Sequence, residues 1–515
     1  MRRRLTSVGT SECPVTRFCF DYFCIRSTRR SEPVLERVPE VRKRAPSPTP
    51  CASRQPLPRR TLRAYRCHVD HAKRREVLVV LCVGAAFILA LFLELPGVNG
   101  TSYWHWPWRS LDVVNTLAVF TGPLLMIGAL AWLWSRTPPP SASDVRALAG
   151  GLFVCEVLLQ WARLRAEPGG WAWLDELVQS RDVTSYYTDA LRIDDVGNFL
   201  RDFSWKRLEH HSSTHPPGPV LFYWLLLQLF EPGFAARAGG ALIGVLASTG
   251  VIVAYWFAGL WTPDPLRRLG ACFAYALMPS LLVVLPSFDQ IYPIFTMLGL
   301  LVWNKAFDKP AAAILLGLIA FVATNVAYQF VLLGVPFGLY ALAVLRSRGW
   351  DFEVRRAMVR AAVIALGVWL GANIVLSLLT PFHPLDSFVA AIGRQARYAA
   401  FLQRPYGLST LYDPFDFFLG GGILVLPLLV IHFAREDSRE TVITFACLLS
   451  ILIIDLTGLI RCEAARVWLF LQPLAIVPAG LTLSRFRPPA RGLVLGLSAL
   501  ILVAIVCKLI FLRVP

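Results

Sequence analysis

Between residues 186 and 218 the chain gathers groups suited to acid, base and anion chemistry: Tyr186-Tyr187-Thr188-Asp189, then Ile193-Asp194-Asp195, then Thr214-His215-Pro216-Pro217-Gly218. Two adjacent carboxylates can supply a general base for an attacking hydroxyl and a charged partner that positions a ligand or a metal. The same pair can simply open a helix, where Asp is favoured by capping and by the helix dipole. His215 follows Asp194 by 21 residues. It could act as an acid or a metal ligand, but with His210 and His211 it lacks the regular spacing of a zinc site, so positioning an anionic group is its preferred role.

A second set is cationic. Arg237 precedes an apolar run, Arg394, Arg397 and Arg404 lie between residues 380 and 417, and Arg461 and Arg466 bracket the stretch Arg461-Cys462-Glu463-Ala464-Ala465-Arg466. Guanidinium groups match phosphate through paired donors, although an arginine near a membrane can equally snorkel to a headgroup. Glu463 and Arg466 could also satisfy each other at i, i+3 spacing. Gln403-Arg404-Pro405-Tyr406 and Tyr412-Asp413-Pro414-Phe415-Asp416 combine aromatics, carboxylates and an amide. Such a set grips sugars by stacking and hydroxyl hydrogen bonds, while turn chemistry around the prolines accounts for the same residues. Asp289, in Ser287-Phe288-Asp289-Gln290 at the end of an apolar run, adds an acceptor or cation contact.

The elements that must position these groups are membrane helices. Hydrophobic residues make up 56% of the 515 positions and charged residues 17%, well under the roughly 25% of soluble domains. A spanning helix needs about 20 mainly apolar residues and satisfies its own backbone. Such runs fall near 77 to 95, 113 to 134, 146 to 163, 239 to 261, 269 to 286, 291 to 306, 310 to 325, 329 to 345, 357 to 379, 418 to 434, 441 to 460, 467 to 484 and 491 to 512. The weakest is 146 to 163, where Glu156 and Gln160 would sit inside the membrane. The segment from Pro219 to Phe230 is too short to cross and reads as an interfacial helix with Tyr223 and Trp224 at headgroup level.

Orientation follows from charge. Lys and Arg concentrate in every second short connection, at Arg136 and Arg146, Arg267 and Arg268, Lys305 and Lys309, Arg346 to Arg356, Arg435 and Arg439, and Arg485 to Arg491. These mark the cytoplasmic face. The opposite face carries two long loops, at about 164 to 238 and 380 to 417, which hold most of the extramembrane polar residues outside the leader. The net charge of +17 is uneven, since residues 1 to 75 hold 19 Lys and Arg against 6 Asp and Glu. That leader reads as a disordered cytoplasmic segment or an over-extended translation start. It has no groove-reading motif, so nucleic acid is not an expected partner. Eleven cysteines at irregular spacings support neither a zinc site nor a disulfide framework, and the acceptor-like triplet Asn99-Gly100-Thr101 carries no weight.

The pair Asp194-Asp195, followed by His215-Pro216-Pro217, the interfacial helix and Arg237, resembles the GT-C superfamily of polyprenyl-phosphate-sugar glycosyltransferases. The similarity is to the branch with protein O-mannosyltransferases and lipid A aminoarabinose transferases. It covers residues 180 to 300 at motif level and the other spans in architecture. The resemblance implies an all-α polytopic fold with about 11 to 13 transmembrane helices and a large first outer loop bearing interfacial helices. It implies inverting transfer of a sugar to a glycan, lipid or protein hydroxyl, with Asp194, or else Asp195, as base. His215, Arg237, Arg461 and Arg466 would bind the donor phosphate, and Tyr187, Asp189, Asp289, Arg404 and Tyr406 the substrates. No cofactor is firmly implied, and a divalent cation would be tolerated. Two apparent spans before the loop depart from the family's single helix, but an even number of added crossings keeps the loop outside. The expected location is the plasma membrane, or the endoplasmic reticulum in a eukaryote. A secondary transporter or lipid flippase is the chief alternative, with Asn325, Gln329 and Asp455 in its favour, and a non-catalytic scaffold is a third.

Overall fold

The structure, a computed structural model, describes residues 59–95, 111–136, 139–401, 405–435, 438–461 and 463–508, with side chains from residue 74 onward apart from Ser438. Arg404, Gln403, Asn99 and residues 1–58 of the leader lie outside the described residues. Among the described residues the chain is helical, with no strand.

Among the described residues eight helices are long and apolar enough to cross a membrane: Arg74–Phe92, Val113–Trp134, Pro232–Leu260, Pro265–Val283, Tyr328–Ser347, Phe352–Leu379, Arg439–Thr457 and Pro488–Lys508. A ninth is available if Tyr406–Gly421 and Val425–Arg435, bent by 94°, form one broken span. This is a multi-pass architecture. Helices also occupy the four remaining positions expected from the sequence, at Ala142–Ala166, Tyr292–Ala306, Pro310–Val326 and Pro473–Leu483. They fall short by length or by polarity, and so are not counted by composition alone.

Helix starts are written locally. Asp112 and Asp264 accept backbone N–H bonds at the head of their helices, and Ser141 with Asp144 forms a reciprocal capping box. In the bundle interior, glycine lets backbones touch. A Cβ on Gly270 would meet the Gly480 carbonyl oxygen at 2.1 Å, and one on Gly480 would meet the Gly270 oxygen at 2.5 Å. Small residues at helix contacts are the usual means of close approach where lipid supplies no hydrophobic drive.

Polar contacts sort into two groups that match the two faces read from charge. At the helix ends that the charge pattern assigns to the cytoplasm, Arg267 grips Glu440 with two bonds of 2.8 Å, Arg485 lies 3.4 Å from the same carboxylate, Arg491 donates to Ser135 at 2.7 Å, and Arg435 pairs with Glu76. At the opposite ends, which the charge pattern assigns to the outer face, Arg466 faces Asp289, Gln329 donates to the Val467 carbonyl at 2.8 Å, and Lys508 pairs with Glu94 at 3.1 Å.

Two sequence expectations about intramembrane and interfacial residues are resolved. Glu156 is fully buried and faces the bundle, accepting from Gln160 at 3.0 Å. The short helix Gly218–Leu229 stands where the interfacial helix was expected, but Tyr223 does not face headgroups. It is buried edge-on against Tyr187 and Phe288, because this helix packs its aromatic side onto the outer loop.

Candidate functional site

At the outer end of the bundle three separate stretches of chain meet. The first is the 3-10 turn Phe288–Ile291, which carries Asp289. Ser287 caps it, accepting from the Asp289 N–H at 3.2 Å and donating to the Asp289 carboxylate. Gln290 anchors the turn from within the bundle, donating to Gln160 Oε1 at 3.1 Å and to the Leu281 carbonyl. Gln160 donates to that same carbonyl at 3.0 Å, so a buried amide ladder runs from Glu156 to the residue beside Asp289. Such ladders hold backbone in place because an unsatisfied amide in an apolar interior costs more than the bond gains.

The second stretch is the turn Glu463–Val467. Glu463 adopts a left-handed φ of 56°, which folds Arg466 back over it. The turn is held by the Asp416 carboxylate, which accepts from the Ala465 N–H at 2.9 Å, and by Ser280, which donates to the Ala465 carbonyl at 2.7 Å. Arg466 Nε lies 3.7 Å from Asp289 and one of its terminal nitrogens 3.3 Å from Glu463. Burial disfavours the guanidinium charge, but the carboxylates of Glu463 and Asp289 more than offset it, so Arg466 holds its proton more tightly than usual.

The third stretch is the first outer loop. Tyr186 is buried edge-on to His215 and to Phe288, with ring centroids 5.6 Å apart in both pairs. Burial, and then the Asp289 charge, push its phenol well up. His215 Nδ1 bonds the His211 carbonyl at 2.9 Å. Burial lowers the basicity of both imidazoles; Arg466 lowers that of His211 further, while at His215 the Asp289 charge partly opposes the effect of burial. Both rings keep partial surface exposure, yet so much protein surrounds them that the charged form is poorly solvated. Tyr292 sits next to the same charges, and its buried hydroxyl has no hydrogen-bond partner among the described residues.

The assembled cluster thus holds one guanidinium between two carboxylates, two neutral imidazoles and two phenols. Neutral donors and acceptors of this kind suit hydroxyl-rich ligands. The single cation is already shared by two carboxylates, so a phosphate would have to compete for it. Among the described residues no group of three His, Cys, Asp or Glu side chains could hold a metal ion.

Of the residues singled out by sequence, His215, Asp289 and Arg466 come together here. Tyr186 and Glu463, also singled out, join them, while Arg404 lies outside the described residues. Tyr187 donates to the Pro232 carbonyl at 2.6 Å, tying loop to helix. Asp189 is buried among Arg192 at 3.2 Å and the Glu209 N–H at 3.0 Å; burial raises its pKa, and these bonds only partly restore the charged form. Arg237 pairs with Asp175 through bonds of 3.3 and 2.5 Å. Arg461 lies 5.2 Å over the Tyr406 ring and donates to the Gly458 carbonyl at 2.8 Å, while the Tyr406 hydroxyl donates to the Leu456 carbonyl at 2.7 Å. Asp195 caps the helix Val196–Asp202, accepting from the Asn198 N–H at 2.6 Å. Asp194 is exposed, and no described hydrogen bond, ion pair or ring contact joins it to the cluster.

Tyr292 was not legible as a site residue, since a tyrosine at the start of an apolar run reads as a membrane-interface aromatic. Asp416, read as a sugar contact, instead supports the Arg466 turn. No protein-family model matches the chain, and no curated protein matches its sequence.

Proposed function

We propose that the chain is a GT-C-like membrane glycosyltransferase that moves a sugar from a polyprenyl-phosphate donor to an acceptor hydroxyl on the non-cytoplasmic face. The observation that carries this reading is the meeting of Asp289, Arg466, His215 and Tyr186 in one cluster at one end of the apolar helices. In this reading Asp194, whose exposed carboxylate is not used in capping, accepts the proton of the attacking hydroxyl. Asp289, Tyr186 and the neutral histidines bind sugar hydroxyls, and Arg466 offsets charge developing on the leaving phosphate. The occurrence of helices at all thirteen expected positions, with polar contacts sorted to two ends, supports a count within the 11 to 13 of the GT-C layout. A plasma-membrane or endoplasmic-reticulum location belongs to the same proposal.

The test is transfer of radiolabelled sugar from defined polyprenyl-phosphate donors by purified wild type, Asp194→Asn and Asp289→Asn, with folding checked by thermal melting. Transfer by wild type that falls at least ~100-fold in an equally stable Asp194→Asn assigns the base. Retained transfer there, with loss in Asp289→Asn, moves the base to the buried carboxylate. The buried Glu156–Gln160–Gln290 ladder favours a second reading, a secondary transporter, because polar groups deep in a bundle commonly line a substrate path. Absence of transfer from every donor would favour it.

A further inference from the structure

The helix Pro384–Phe401, in the second outer loop, has its polarity turned inside out. Its inward side is polar and engaged. Ser387 bonds the Tyr328 hydroxyl at 2.5 Å, Arg394 donates to the carbonyls of Ser213 at 2.9 Å and Ser204 at 2.6 Å, and Tyr398 stacks on His210 with ring centroids 3.5 Å apart. Residues 387, 394 and 398 share a face at helical spacing. The opposite side is apolar and bare: Leu385 is 72% exposed, Val389 61% and Ile392 53%. In water such a helix would bury the wrong side, since apolar area costs roughly 25 cal/mol per Å² to leave hydrated.

Continuity says what covers it. The preceding helix Phe352–Leu379 is the least buried of the apolar spans, with 6% of its most apolar window inside the protein, and Leu378 and Leu379 at its outer end are bare. Only residues 380–383 separate the two helices. Five residue steps reach at most about 18 Å, so the second helix begins at the membrane border. Its remaining exposed charges, Asp386 and Arg397, lie on the same border, where an arginine stem can run along apolar surface with its head at the phosphates.

We propose that helix Pro384–Phe401 lies in the outer leaflet, with Leu385, Val389 and Ile392 against lipid acyl chains and its polar side clamped on the first outer loop. One lipid-seated helix then anchors the His210–Thr214 segment next to the cluster to the bilayer. This holds whether or not the chain transfers sugar. The surface fits lipid better than a second copy of the chain because it continues the lipid-facing side of a membrane-spanning helix.

The experiment places the photo-crosslinking residue benzoylphenylalanine at Val389 or Ile392 of the full chain, in vesicles of phosphatidylcholine and phosphatidylglycerol containing a tritiated phospholipid. Leu370 of the preceding helix serves as the lipid-facing reference. Adducts to tritiated lipid at 389 and 392 comparable to those at 370 are expected. A protein dimer adduct instead would make the face an interface between copies, and no adduct with 370 still reacting would leave it facing water; either overturns the proposal. If the altered chains fail to fold, hydroxyl-radical footprinting of unaltered protein in lipid nanodiscs reads Leu385 and Ile392 directly. Protection at least 5-fold relative to the unfolded chain is expected, and oxidation at the unfolded rate overturns the proposal.

Discussion

At the scale of single residues, the cluster balances one cation against two carboxylates, and its neutral histidines depend on that balance. Replacing Arg466 leaves Glu463 and Asp289 facing each other without their shared partner. Arg466→Ala should therefore cost about 3 kcal/mol, the usual scale for breaking a buried pair. Thermal melting in detergent should show it, with part of the loss recovered in the double variant Arg466→Ala, Asp289→Asn. The histidines give a pH signature. Burial lowers the folded-state pKa of His211 and His215, so both are neutral in the folded protein when the unfolded chain, near 6.5, begins to protonate. Their contribution is present above that value and lost as pH falls through the depressed folded pKa values. The melting temperature of wild type should fall as pH drops below about 6.5, and fall less steeply in the double variant His211→Gln, His215→Gln.

At the scale of elements, the helices that carry the site are set by close backbone contact more than by side-chain volume. Gly270 and Gly480 meet carbonyl to Cα, leaving no room for a methyl group in either helix. Gly480→Ala should destabilise the protein by about 1 to 3 kcal/mol through forced separation of Pro265–Ala276 from Pro473–Leu483. The cost should not be relieved by lipid, and melting in nanodiscs and in detergent should report the same deficit. The turn Glu463–Val467, which presents Arg466, follows the span Arg439–Thr457 and rests on Asp416 and Ser280. A shift in the packing of those helices would move the guanidinium even with the cluster residues unchanged.

At the scale of the whole molecule, charge and contact agree about two faces, and the number of crossings decides where the chain leaves the membrane. With a cytoplasmic start, thirteen crossings put residue Lys508 at the outer face, beside Glu94 as observed. Eight would return it to the cytoplasm. A phosphatase fusion after Lys508, active only outside the cytoplasm, should be active in a bacterial host, and a green fluorescent protein fusion at the same point should be dark. The reverse pattern would remove the five shorter or bent elements from the list of crossings.

The residues alone determined that this chain is a helical membrane protein. Runs of apolar side chains leave no other way to satisfy the backbone in lipid, and alternating Lys and Arg orient those runs without reference to packing. They also located most of the helices, even where Glu156 and Gln160 interrupt the pattern, but the run from 418 to 434 is two helices, Tyr406–Gly421 and Val425–Arg435, bent by 94°. Which polar groups meet was decided by tertiary structure. His215, Asp289 and Arg466 are separated by up to 251 residues and converge because three loops end at the same height in the bundle. Asp189 and Arg237, equally polar and equally placed in the outer loop, are spent on local ion pairs. Side-chain type and spacing cannot separate these two fates, since both begin from the same charged residue beside a membrane. The difference lies in which neighbour the fold brings within hydrogen-bonding distance.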